Sequence, residues 1–196
     1  MKELLKNWND FDRFLKDQLL IGLFIQCNWA LVSPIIMKLQ GMLWTTTFIS
    51  VYLILVRMGG IIAPYFKGTP LKKTYSFMIF LNVLYVLATP LFFYDQSLFL
   101  LAESFLSIFF CINSIILGIA WDVYVVDKYE KTTFENFRYA CSFRDGLGGI
   151  GGNLIVIGIY AILDQFQSMK LFVFLMLFVL LLQLYNYRTH YIHMEE

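Results

Sequence analysis

Residues 98–126 read LFLLAESFLSIFFCINSIILGIAWDVYVV, and only Glu103 and Asp122 in this stretch carry charge. A spanning helix needs about 20 predominantly apolar residues, and this run exceeds that length. The rest of the chain has the same character. Its 196 residues are 59% hydrophobic, 18% aromatic and 15% charged. A soluble domain carries about 25% charged residues and about 45–50% apolar ones. A mean hydropathy of +0.67 therefore excludes a soluble globular domain and a disordered chain. A net charge of +1 leaves no basic surface for phosphate backbones, so nucleic acid is excluded as a partner. The class that remains is an all-α integral membrane protein. Cys27, Cys111 and Cys141 lie in apolar stretches without metal-ligand spacing and read as buried free thiols.

Working outward from that stretch, five further segments have the length and apolarity of spans: 19–37, 42–65, 75–93, 137–163 and 171–187. Six spans with short loops consume nearly the whole chain, which leaves no room for a soluble catalytic domain. The chain thus divides into an N-terminal segment 1–18, a six-helix transmembrane domain 19–187 and a short tail 188–196. The N-terminal segment has mixed charge and no signal-peptide pattern. It places Leu4, Leu5, Trp8, Phe11, Phe14 and Leu15 at helical spacing. That pattern suits a helix lying on the membrane surface or an extension of the first span.

Lysine and arginine set the orientation. Lys2, Lys6, Arg13 and Lys16 precede the first span. Lys67, Lys72 and Lys73 fall in the second loop, Lys128, Lys131 and Arg138 in the fourth, and Arg188 after the last span. The opposite side holds only Lys38 and Lys170. Both termini are expected in the cytoplasm of a multi-pass protein of the cell membrane.

Polar groups within a membrane are costly and face a bundle interior or a watery cavity. The third span offers mainly Asn82, and the sixth Gln183 and Asn186, so both are expected to face lipid. In the first span Gly22, Gln26, Trp29 and Ser33 share a face, with Asn28 to its side. In the fourth, Glu103, Ser107, Cys111, Ser114, Gly118 and Asp122 form a stripe, and Asn113 adds a further amide. Such a stripe lines a cavity or makes a helix contact of small residues. Glu103, Gln26, Asn28, Trp29 and Asn113 are the cavity and coupling candidates. By helix rise, Glu103 sits roughly 8–10 Å below the outer end of its span, and Arg57 roughly 10–12 Å from the inner end of its own. Arg144 and Asp145 lie at a depth similar to Arg57, and Asp122 lies near the inner end of the fourth span. These four form an inner charge network, either a gate or a static packing device. His190 and His193 sit in the tail without further ligands and read as solvated. No metal site, cofactor or catalytic constellation is expected.

The fifth span carries Arg144-Asp-Gly-Leu-Gly-Gly-Ile-Gly-Gly-Asn153, whose Gly146, Gly148, Gly149, Gly151 and Gly152 permit close helix approach. The second span carries a shorter echo, Arg57-Met-Gly-Gly, with Gly59 and Gly60. Spans two and five are equivalent if the chain is two repeats of three helices.

With these residues in view, the stretch 19–191 resembles the N-terminal six-helix half of a major facilitator superfamily transporter. Gly60-Ile-Ile-Ala-Pro-Tyr-Phe-Lys-Gly-Thr-Pro-Leu-Lys-Lys73 is similar to the family's motif between helices two and three. Gly60, Lys72 and Lys73 match it, and Pro64 stands at its aspartate position. Gly146 to Gly152 resembles the glycine-rich fifth-helix motif of antiporters, with Gly149 where a proline is often found. Glu103 lies near the position of the arginine that often begins the family's fourth helix. The resemblance implies a 3+3 inverted repeat with helices one and four lining the cavity. It covers only half of the usual transporter. It therefore implies a half-size secondary transporter, an exporter or proton-coupled carrier of a small solute, that completes its cavity as a homodimer or with a separate second half; the few, aromatic and weakly polar cavity candidates fit a lipophilic solute. A non-transporting accessory, immunity or assembly subunit is the alternative reading, and an enzyme is not expected.

Overall fold

The computed structural model describes the backbone of residues 8–40, 63–66, 68–159 and 164–194, with Ile162 and scattered residues between 50 and 61. Most of the expected second span, including Gly59 and Gly60, lies outside the described residues. Residues 1–7 do too, as do the side chains of Trp29 and Glu103.

The described residues form an all-helical structure with five long helices. They are α1 (Arg13–Gln40), α2 (Leu71–Ala88), α4 (Gln96–Lys128), α5 (Lys131–Ile159) and α6 (Gln165–Asn186). A single turn, α3 (Leu91–Tyr94), lies between α2 and α4. Local chemistry sets the boundaries. Pro70 precedes α2 and Pro90 precedes α3, at positions where a missing backbone N–H costs nothing. Asp95 caps α4 by accepting hydrogen bonds from the Ser97 and Leu98 amides. Asp164 and Gln167 form a reciprocal capping box at the start of α6. Beyond α6, Tyr187–Tyr191 continue as a wider π turn.

Three segments are long and apolar enough to cross a bilayer: Leu71–Tyr94, Ser97–Lys128 and Gln167–Tyr191. They point to a multi-pass membrane protein. The expected six spans reduce to these three among the described residues.

The helices follow one another in space in the order α5, α1, α6, α2, α4, and α4 meets α5 only sparsely. Two apolar clusters hold them. At the end that carries both termini, Phe11, Phe14, Leu15, Leu19, Tyr75, Ala120, Phe137 and Tyr191 form one core. Trp121 stacks on Phe137 with ring centroids 5.2 Å apart and on Phe14 at 5.9 Å. At the other end Leu31, Tyr85, Phe99, Phe172 and Met176 form the second. Residues 13–18 continue into the helix of the first expected span, and Phe11, Phe14 and Leu15 are buried. Phe77, Phe80 and Leu87 on α2 and Phe174, Phe178 and Leu181 on α6 are exposed. Those faces suit lipid contact, and the opposite faces of the same helices bury Asn82, Gln183 and Asn186.

Candidate functional site

The glycine-rich run of α5 divides into two faces. A Cβ on Gly148 would lie 2.7 Å from the Gln26 Cβ and 3.0 Å from the Leu23 carbonyl oxygen. A Cβ on Gly152 would lie 2.5 Å from both the Cys27 carbonyl oxygen and the Ala30 Cβ. These two glycines let α5 lie directly on the backbone of α1. Among the described residues, Gly146, Gly149 and Gly151 have no atom within 4 Å of an added Cβ. Gly22 of α1 serves the same contact from the other side, because the Arg144 side chain lies across it.

Of the four expected members of the inner charge network, Arg144 and Asp145 are joined. An Arg144 guanidinium nitrogen sits 2.7 Å from the Asp145 carboxylate, and a second donates to the Gln18 carbonyl at 3.3 Å. Arg57 and Asp122 are exposed. No ion pair reaches either of them among the described residues.

The cavity candidates part company in the same way. Gln26 is half-buried against α5. Asn113 is buried and donates to the Thr74 carbonyl of α2 at 3.2 Å, so it ties two helices together. Asn28 is 3% exposed, and neither its amide nitrogen nor its oxygen has a hydrogen-bond partner among the described residues. A buried amide left without a partner costs about 1–3 kcal/mol, and the described residues supply Asn28 with none. Trp29 and Glu103 lie outside the described side chains.

A polar line that the sequence reading underrated runs along α6. Gln183 accepts from the Asn82 amide of α2. Three residues on, Asn186 accepts from the Gln18 amide at 2.8 Å and donates to the Tyr75 hydroxyl at 2.8 Å. Four residues further, His190 bonds the Asp17 carboxylate at 2.8 Å. The tail is thus packed: Tyr191 is fully buried, lies 4.0 Å from the Tyr75 ring and accepts from the Trp121 indole. His190 differs from its expected solvated state because the π turn swings it onto α1. Its spacing from Asn186 was the available signal, since positions 183, 186 and 190 share one helical face.

Near the loop between α4 and α5, Tyr129 donates its hydroxyl to Asp12 at 2.7 Å. Burial and this acceptor hold its phenol well above the ordinary tyrosine range. Among the described residues no group of three or more His, Cys, Asp or Glu is placed to hold a metal. No family model matches the chain, and neither a curated protein nor a solved structure is similar to it.

Proposed function

We propose that this chain is a half-size secondary membrane transporter that completes its cavity with a second copy or a separate partner half and works by alternating access. The observation that carries the reading is the pattern of helix pairing. A two-fold exchange of three-helix repeats swaps spans one and four, two and five, and three and six. The α1–α6 and α2–α4 contacts are spans one with six and three with four, so each maps onto the other. The α2–α6 contact maps onto itself, and it is sealed by the Asn82–Gln183 pair. The unsatisfied Asn28 amide adds a polar group inside the apolar bundle. In this reading the bundle is half of a major facilitator fold with six spans and both termini cytoplasmic. Glu103 is the coupling carboxylate and Trp29, Gln26 and Asn28 face the solute.

The accessory-subunit reading has its own support. Asn113, Asn82, Gln183 and Arg144 are all engaged in contacts between or along helices, as in a protein whose polar groups only fix packing.

The discriminating measurement is the mass of the intact complex released from lipid discs. A homodimer, or a complex with one other polytopic chain, is the expected result. Proteoliposomes of that complex then carry ethidium along an imposed proton gradient, and Glu103→Gln abolishes the flux while leaving the mass unchanged. A chain that stays a monomer in lipid and moves no solute overturns the transporter reading.

A further inference from the structure

At the end that carries both termini, a cleft of about 360 Å³ opens between the close of α4 and the C-terminal turn. Phe14, Tyr124, Lys128, His190 and His193 are among its walls, and among the described residues no aspartate or glutamate lines it. We propose that this cleft binds the phosphate of an anionic lipid headgroup at the membrane surface.

The cation in the cleft is held in place. The Lys128 ammonium donates to the Tyr124 hydroxyl at 3.0 Å. It also sits 5.3 Å from the ring centres of Phe14, Tyr124 and Tyr129. Three aromatic faces around one ammonium fix its position, so little side-chain entropy remains to be lost when an anion arrives. Tyr124 accepts from Lys128 and keeps its own O–H to donate. His193 adds a ring N–H donor. His190 uses one ring nitrogen on Asp17, which lies outside the cleft lining and is also 3.8 Å from Arg13. The Thr189 hydroxyl is already donated to the Tyr185 carbonyl and contributes no hydrogen to the cleft.

The depth of the cleft selects the source of the phosphate. The apolar segment Ser97–Lys128 ends at this lysine. Tyrosines 124, 129, 187 and 191 and Trp121 gather at the same end, where aromatic side chains mark the level of lipid headgroups. A cleft that holds the Lys128 ammonium, the Tyr124 phenol and the His193 imidazole at that level meets lipid phosphate before any other anion.

The test compares wild type with Lys128→Gln/His193→Gln and with Lys128→Arg. Lipid retention is read by native mass spectrometry from mixed micelles of phosphatidylcholine and phosphatidic acid. Helical circular dichroism serves as a check that each variant is folded. Wild type and Lys128→Arg are expected to retain phosphatidic acid at least tenfold over phosphatidylcholine. The double variant is expected to fall to within twofold. Equal retention by the folded double variant overturns the proposal. A second arm adds inorganic phosphate without lipid and follows the melting midpoint. If phosphate alone raises the wild-type midpoint as far as phosphatidic acid does, while the double variant responds to neither, the anion comes from solution. The lipid assignment is then overturned.

Discussion

Replacing Gly152 by alanine tests the α1–α5 crossing most directly. Its added methyl would meet the Cys27 carbonyl oxygen and the Ala30 Cβ, each at 2.5 Å. Unstrained contacts between such atoms lie near 3.5 Å, so the two helices must separate by roughly 1 Å or the backbone must bend. Overpacking of this kind costs about 1–3 kcal/mol. Alanine also removes glycine's entropic penalty within a helix, a gain of about 0.5–1 kcal/mol. The net expectation for Gly152→Ala is a loss of about 1–2 kcal/mol. Gly149→Ala makes the same backbone gain and meets no atom of the described residues within 4 Å, so it is expected to stabilise by about 0.5–1 kcal/mol. The two variants differ by one turn of one helix and should diverge in opposite directions. Thermal unfolding in one detergent, followed by helical circular dichroism, measures both. A Gly152→Ala protein as stable as Gly149→Ala would refute the close crossing.

Other outcomes follow from the same structure. Gln183→Leu strands the buried Asn82 amide and should cost about 1 kcal/mol, whereas Asn82→Leu/Gln183→Leu recovers much of that loss; a double-mutant cycle of unfolding midpoints checks this. Tyr191→Ala removes a fully buried ring that stacks on Tyr75 and should destabilise by about 3–5 kcal/mol, read as a fall in melting midpoint. Tyr129 holds its proton more tightly folded than unfolded. Its contribution is therefore intact below about pH 10 and lost as pH rises above that value. A melting midpoint that falls above pH 10 in wild type and stays flat in Tyr129→Phe is the expected pattern. His190→Ala frees the C-terminal turn from Asp17 and should raise its cleavage by a nonspecific protease several-fold, with the remaining helices protected.

The sequence made the helices readable because a spanning segment announces itself by length alone. The expected spans 75–93, 98–126 and 171–187 fall within Leu71–Tyr94, Ser97–Lys128 and Gln167–Tyr191. Partnership was not readable. Periodicity along one helix shows that Asn82, Gln183 and Asn186 are polar islands, but not that Asn82 meets Gln183 across 101 positions. The same limit hid the glycine division. Five glycines in a row of ten residues look alike until α1 is laid against two of them. Asn28 stands out as a polar residue in an apolar stretch, and among the described residues neither end of its buried amide has a partner. Asn113 stood out for the same reason, yet it spends its amide on Thr74. A single sequence gives the cost of burying an amide but not the address of its acceptor. His190 reads as solvated from sequence because it lies in the tail with no accompanying ligands, and nothing local predicts the π turn at Tyr187–Tyr191.

The bonds from α1 to the last turn span nearly the whole chain: Gln18 to Asn186 is a separation of 168 positions and Asp17 to His190 one of 173. Ribosomes add about 5–20 residues per second, so the first helix waits roughly 9–35 s for these partners to be made. Throughout that interval Asp17, Gln18 and the Tyr75 hydroxyl must be satisfied by water, lipid headgroups or the insertion machinery. The seam between the first and last of the described helices thus closes late. A ribosome stalled before residue 186 leaves a bundle whose seam is still open, and such a nascent chain is the form that quality-control proteases are built to find.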